Sequence, residues 1–114
     1  MTAEGVQKKL EEAVRRLVEF YRPRRIYLFG SAARGGAGPD SDFDFLVVLP
    51  DDAPEDVRLS GEIYSRLAGL GIPVDVVTWR ATDFQAKAEL VRASLPATVV
   101  REGRLLYDAE PVPA

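Results

Sequence analysis

The sequence predicts an α/β (α+β) fold in which a small sheet is flanked by helices, and three observations carry that prediction. Residues 6–21 hold Val6, Leu10, Val14, Leu17, Val18 and Tyr21 at four-three-four spacing, the stripe of an amphipathic helix. Three short apolar runs, Ile26–Phe29, Asp42–Leu49 and Ile72–Trp79, are rich in β-branched and aromatic residues and are bounded by Gly, Pro and Asp. A second helical stretch lies between the last two runs, and a third follows them.

Each element has its own local signals. Thr2 is placed to cap the first helix and Pro23 ends it. Arg22, Arg24 and Arg25, grouped around Pro23, read as a solvated helix–strand junction. Pro50–Pro54 forms a turn into a helix over 55–68, with Val57, Ile63, Tyr64 and Leu67 on its buried side and Gly69 and Gly71 ending it. Asp51, Asp52, Glu55 and Asp56 crowd its start, where acids complement the helix dipole. After the third run, Thr82 or Asp83 caps a helix that turns Phe84, Leu90 and Val91 inward. Pro96 opens a further helical turn over 97–101, and Arg104–Tyr107 forms a short closing strand or docked tail. Trp79 reads as core or pocket wall and Tyr107 as packing, and residues 110–114 are expected to fray.

Composition narrows the chemistry. At 114 residues, 46% hydrophobic and 29% charged, the chain is expected to form a single domain over 1–114, with a true core and no room for a second. A net charge of −3 argues against direct nucleic-acid binding, which usually needs a basic face. The absence of Cys and His removes disulfides, thiol nucleophiles and histidine bases together. The polar N-terminus and the lack of a long apolar run argue against a signal peptide or membrane helix, so a cytoplasmic location is expected.

The stretch from Ile26 to Leu49 holds the most informative residues. A strand stops at Gly30-Ser31, a loop of ten residues (Ala32 to Ser41) follows, and Asp42-Phe43-Asp44 opens the next strand. Alternation puts Asp42, Asp44, Leu46 and Val48 on one face and Phe43, Phe45, Val47 and Leu49 on the other, which should pack against helices. The two acids then stand about 6.6 Å apart along the strand. Side by side at the edge of an apolar strand they repel, and a cation between them relieves the repulsion. Carboxylate oxygens without imidazole or thiolate suit Mg²⁺ or Mn²⁺. A Gly-Ser turn offers N–H groups and a hydroxyl to an anion, and Arg34 is able to clamp a phosphate. Taken alone, each part has an ordinary explanation: Gly30-Ser31 as a turn, the Asp pair as strand-end acids, Arg34 as a solvated loop residue. A third acid, Asp75, interrupts an otherwise β-branched strand, an unexplained cost unless it joins the first two.

GSAARG followed by SDFDFLVV resembles the signature of the nucleotidyltransferase superfamily, a Gly-Ser pair, a spacer and Asp-x-Asp, and Val74-Asp75-Val76-Val77 resembles its third acidic strand. The small size and the ten-residue spacer are most similar to the minimal nucleotidyltransferases of prokaryotes, although Phe43 and Phe45 stand where that family often has Leu or Ile. The resemblance implies a polymerase-β-like fold with a mixed sheet. It also implies two Mg²⁺ ions, with Mn²⁺ as a substitute, held by Asp42, Asp44 and Asp75, and an ATP whose phosphates meet Gly30, Ser31, Arg34 and Ser41. The partner it implies is a small helical HEPN-type toxin, with this chain as the antitoxin that adenylylates a toxin tyrosine. Two other readings stand beside it: nucleotidyl transfer to a small hydroxylated molecule, and a non-catalytic module that neutralises its partner by masking.

Overall fold

The structure is a computed structural model and describes residues 3–30, 33 and 42–109. The elements run α1 (Ala3–Tyr21), β1 (Arg25–Phe29), β2 (Phe43–Leu49), α2 (Glu55–Leu59), α3 (Glu62–Leu67), β3 (Val74–Arg80), α4 (Ala81–Leu90), α5 (Leu95–Glu102) and β4 (Arg104–Asp108). The strands form one sheet in the order β3-β2-β1-β4. β1 is antiparallel to both β2 and β4, while β2 and β3 are parallel, so the expected mixed sheet is present and the C-terminal segment closes it as a strand.

The helix and strand periods explain how the layers form. Leu10, Ala13, Leu17 and Tyr21 of α1 are buried together with Ile26, Leu28, Phe43, Phe45, Val47 and Leu49, joined by Ile63 and Leu67 of α3. The opposite face buries Tyr27, Leu46 and Val48 under Phe84 of α4 and Val99 of α5, with the half-buried Trp79 packed against them. Tyr27 and Phe84 stack with their centroids 5.6 Å apart. The alternation expected along β2 therefore holds, with helices on both faces.

Chain breaks follow the residues that enforce them. The Arg22 N–H bonds the Val18 carbonyl at 2.9 Å with Arg22 in a left-handed conformation, φ 48°, and Pro23 then forbids another turn. The cap expected at Thr2 lies outside the described residues.

Four expectations are corrected. The helix expected over 55–68 is two helices, because Ser60 is extended (φ −71°, ψ 135°) and its hydroxyl accepts the Glu62 N–H at 3.1 Å, a local bond that competes with helix continuation. Tyr64 is exposed rather than buried, because its hydroxyl is drawn to the sheet edge, where polar partners meet it. Leu90 and Val91 also face outward: α4 buries Phe84 alone, and the chain leaves the helix at Val91, whose φ and ψ are −126° and 95°. Finally, neither Thr82 nor Asp83 caps α4. The helix starts one residue earlier, and the carboxylate of Asp51 accepts the Thr82 N–H at 2.9 Å and bonds its hydroxyl as well, which holds that carboxyl below the usual range. Glu55 and Asp56 do lie in the first turn of α2.

Candidate active site

The two parallel strands carry two of the acids to the same level of the sheet. Asp44 of β2 and Asp75 of β3 are register partners. Neighbouring strands lie about 4.8 Å apart, so carboxylates at this pairing feel one another directly. Val74 and Val76 pack toward α1, so alternation turns Asp75 to the other face, the one that Asp44 shares with Leu46 and Val48. The burial cost expected of Asp75 is absent, because β3 is an outer strand and Asp75 is exposed on it. Helices α4 and α5 cover that face around Leu46 and Val48, and Asp44 is left half-buried toward the opposite end.

The electrostatics record this crowding. The Asp44 carboxyl is pushed above the usual range, first by its own burial, then by the charge of Asp75, then by that of Asp42. Asp42, just before β2, is exposed and acts on Asp44 through space. Among the described residues, no three acidic side chains close round one point as a preformed metal cage would. The cluster is open, with mutual repulsion among its members, and its donor set is carboxylate oxygen alone because the chain has no His or Cys. That chemistry fits a hard divalent cation.

Gly30 ends β1 beside the cluster, since Phe29 pairs with Asp44 across the sheet. Two constraints require glycine there. Its φ is +77°, and a Cβ would sit 2.5 Å from Asp44 Oδ2. A side chain at this position would have to displace the Asp44 carboxylate. Ser31, Arg34 and Ser41 lie outside the described residues, as does the helical turn expected over 31–34 except for Ala33, which packs against the core on the α1 side.

The sequence reading missed one participant. The Tyr64 hydroxyl bonds Asp75 Oδ1 at 3.1 Å. Its spacing with Ile63 and Leu67 placed it on the buried stripe of a helix; the one hint was that a tyrosine, unlike those neighbours, carries a polar tip. At the far end of β2 a separate hollow of about 490 Å³, lined in part by Val48, Asp51, Thr82 and Phe84, lies away from the acids. No described helix is long and apolar enough to cross a membrane.

Comparison with known proteins adds three findings. The family described as "Nucleotidyltransferase domain" matches residues 7–106. A protein of Methanocaldococcus jannaschii that carries the name protein adenylyltransferase is 32% identical over 103 residues, covering 89% of this chain and 97% of that protein. Two solved toxin–antitoxin structures share the fold with a TM-score of 0.57. One, solved with AMP-PNP, is 28% identical over 88% of this chain and 74% of its own. The other, named MntA-HpeT, is 23% identical over 88% of this chain and 73% of its own, and carries the likeness of fold alone.

Proposed function

The chain belongs to the nucleotidyltransferase domain family and is a nucleotidyltransferase, and on that premise we propose that it acts as an antitoxin, moving AMP from ATP to a tyrosine hydroxyl of a helical HEPN-type toxin. The observation that carries the reading is the pair Asp44 and Asp75, level on parallel strands with Gly30 against Asp44. Repulsion left standing in a folded site has a reason if the site receives a cation.

In this reading Asp42, Asp44 and Asp75 hold the divalent ions, Mg²⁺ or Mn²⁺. Bound there, the metal neutralises charge on the triphosphate and on the oxygens in line with the reacting phosphorus. The remaining work belongs to the chain. The Gly30 N–H and the Ser31 hydroxyl hold the β- and γ-phosphates, with Arg34 and Ser41 contributing from the same loop. Asp75 accepts the proton of the attacking hydroxyl, whose oxygen bonds the α-phosphorus as the bond to the β-phosphate oxygen breaks and pyrophosphate leaves. Rate enhancement comes chiefly from positioning and electrostatics, because the protein forms no covalent intermediate. The whole chain serves as one catalytic domain, and the acceptor hydroxyl comes from the partner. The named relative, a protein adenylyltransferase, and the toxin–antitoxin neighbour solved with AMP-PNP support protein as acceptor and an adenine nucleotide as donor.

The test is intact-mass spectrometry of the protein encoded beside this chain, after incubation with the chain, ATP and Mg²⁺. The expected result is a rise in steps of one AMP on a tyrosine, lost with Asp42→Asn/Asp44→Asn and lost on chelation. A stable complex with no mass change would overturn AMP transfer to this partner and favour masking, with other nucleotides screened next.

A further inference from the structure

The Tyr64 hydroxyl makes two bonds that meet at one oxygen. It donates to Asp75 Oδ1 at 3.1 Å and accepts the Val76 N–H at 3.1 Å. The Val76 carbonyl, at 3.5 Å, competes for the same single proton, and the nearer, charged carboxylate is the stronger acceptor. β3 is an outer strand of the sheet, so the Val76 N–H belongs to its free edge. Tyr64 stands on α3, whose Ile63 and Leu67 are buried in the α1-side layer, whereas Asp75 belongs to the opposite face. The tyrosine therefore reaches round the edge of the sheet. A backbone amide fixes its oxygen, and that oxygen fixes the carboxylate.

We propose that Tyr64 is a positioning residue of the active site, which locks the Asp75 side chain in one orientation through Oδ1. The proposal rests on the metal-dependent reading of the acids given above. An exposed aspartate beside the charge of Asp44 would otherwise swing toward solvent, away from the repulsion. The tether engages one carboxylate oxygen and leaves the second outside it, so the third acid is oriented before any ion arrives. Preset ligands bind a cation without first losing side-chain freedom, which is why groups that bond a ligand from behind affect affinity.

The experiment measures Mn²⁺ affinity of the full chain by the EPR signal of free Mn²⁺, with an ATP analogue that cannot be cleaved between the α- and β-phosphates. Wild type, Tyr64→Phe, Asp75→Asn and the double variant form a cycle. Tyr64 is 43% exposed, so removing its hydroxyl leaves packing intact, and circular dichroism and melting temperature verify this. Tyr64→Phe is expected to weaken Mn²⁺ binding about tenfold, the low end for loss of a bond to a metal ligand, and to cost nothing further on the Asp75→Asn background. Weakening of equal size on both backgrounds would mean that Tyr64 acts through the fold, and the proposal falls. It falls equally if Tyr64→Phe binds like wild type. A wild-type chain that holds no Mn²⁺ gives a different result, visible before any substitution: it overturns the metal-dependent reading, and the positioning role with it.

Discussion

At the scale of single residues, Asp44 is where stability and chemistry oppose each other. Its carboxyl titrates above the usual range because burial and two neighbouring carboxylates disfavour its charge. The folded state thus holds that proton more tightly than the unfolded chain does. Its contribution to stability is complete below the ordinary aspartate pKa and is lost as pH rises through the elevated folded value. At neutral pH, without divalent ions, the ionised side chain is a liability. Asp44→Asn should therefore melt at a higher temperature than wild type at pH 7 in chelator. The gap should shrink below about pH 4, where the wild-type carboxyl is neutral. Thermal melts at the two pH values measure it, and a variant less stable than wild type at pH 7 would show that the strain is absent. Gly30 belongs to the same account, since any side chain there would have to displace the Asp44 carboxylate.

At the scale of elements, what was legible in the sequence depended on how local the determinant is. The α1 stripe, the faces of β2 and the Gly30/Asp42/Asp44/Asp75 pattern follow from spacing, and spacing is written in the chain. Ser60 and Tyr64 could not be read that way. One breaks a helix through its own hydroxyl, and the other bonds a strand that follows it by about ten residues. The start of α4 was hidden for the same reason, because its cap comes from Asp51, 31 residues upstream. Arg80 completes that junction. Its guanidinium donates to the carbonyls of Asp51 at 2.8 Å and Ala53 at 3.0 Å, and it pairs with Glu55. The turn after β2 is thereby tied to the end of β3 at two points. Arg80→Ala should cost about 1–2 kcal/mol through the two carbonyl bonds, and Arg80→Lys should recover only part, because one ammonium cannot reproduce the planar fork. Leu49 and Arg80 are register partners five residues beyond Asp44 and Asp75, about 16 Å along the strands. Nucleotidyl transfer per folded molecule should accordingly stay at the wild-type level, and urea titration alongside the transfer assay separates the two quantities.

At the scale of the whole molecule, the sheet divides the labour along its length and across its faces. Phe45, fully buried next to Asp44, belongs to the layer under α1 and α3, while Asp44 belongs to the face opposite. Adjacent residues of one strand thus differ in kind: one holds the core together, and the other carries the repulsion that, under the proposed function, a ligand relieves. Phe45→Ala should cost about 3–5 kcal/mol, the range for deleting a buried ring, which is a large share of the roughly 5–15 kcal/mol a domain has in total. Ligands that bind only the folded state return stability by mass action. Mg²⁺ with an uncleavable ATP analogue should therefore raise the melting temperature of Phe45→Ala about as much as that of wild type, because the proposed site faces away from the lost ring. The same addition should leave Asp44→Asn nearly unmoved, although without ligand it is the more stable of the two variants. Differential scanning fluorimetry of the two variants, with and without ligand, measures both shifts. A ligand shift that survives in Asp44→Asn would place the nucleotide elsewhere on the molecule. Its loss there, with retention in Phe45→Ala, would tie binding to one face of β2 and stability to the other.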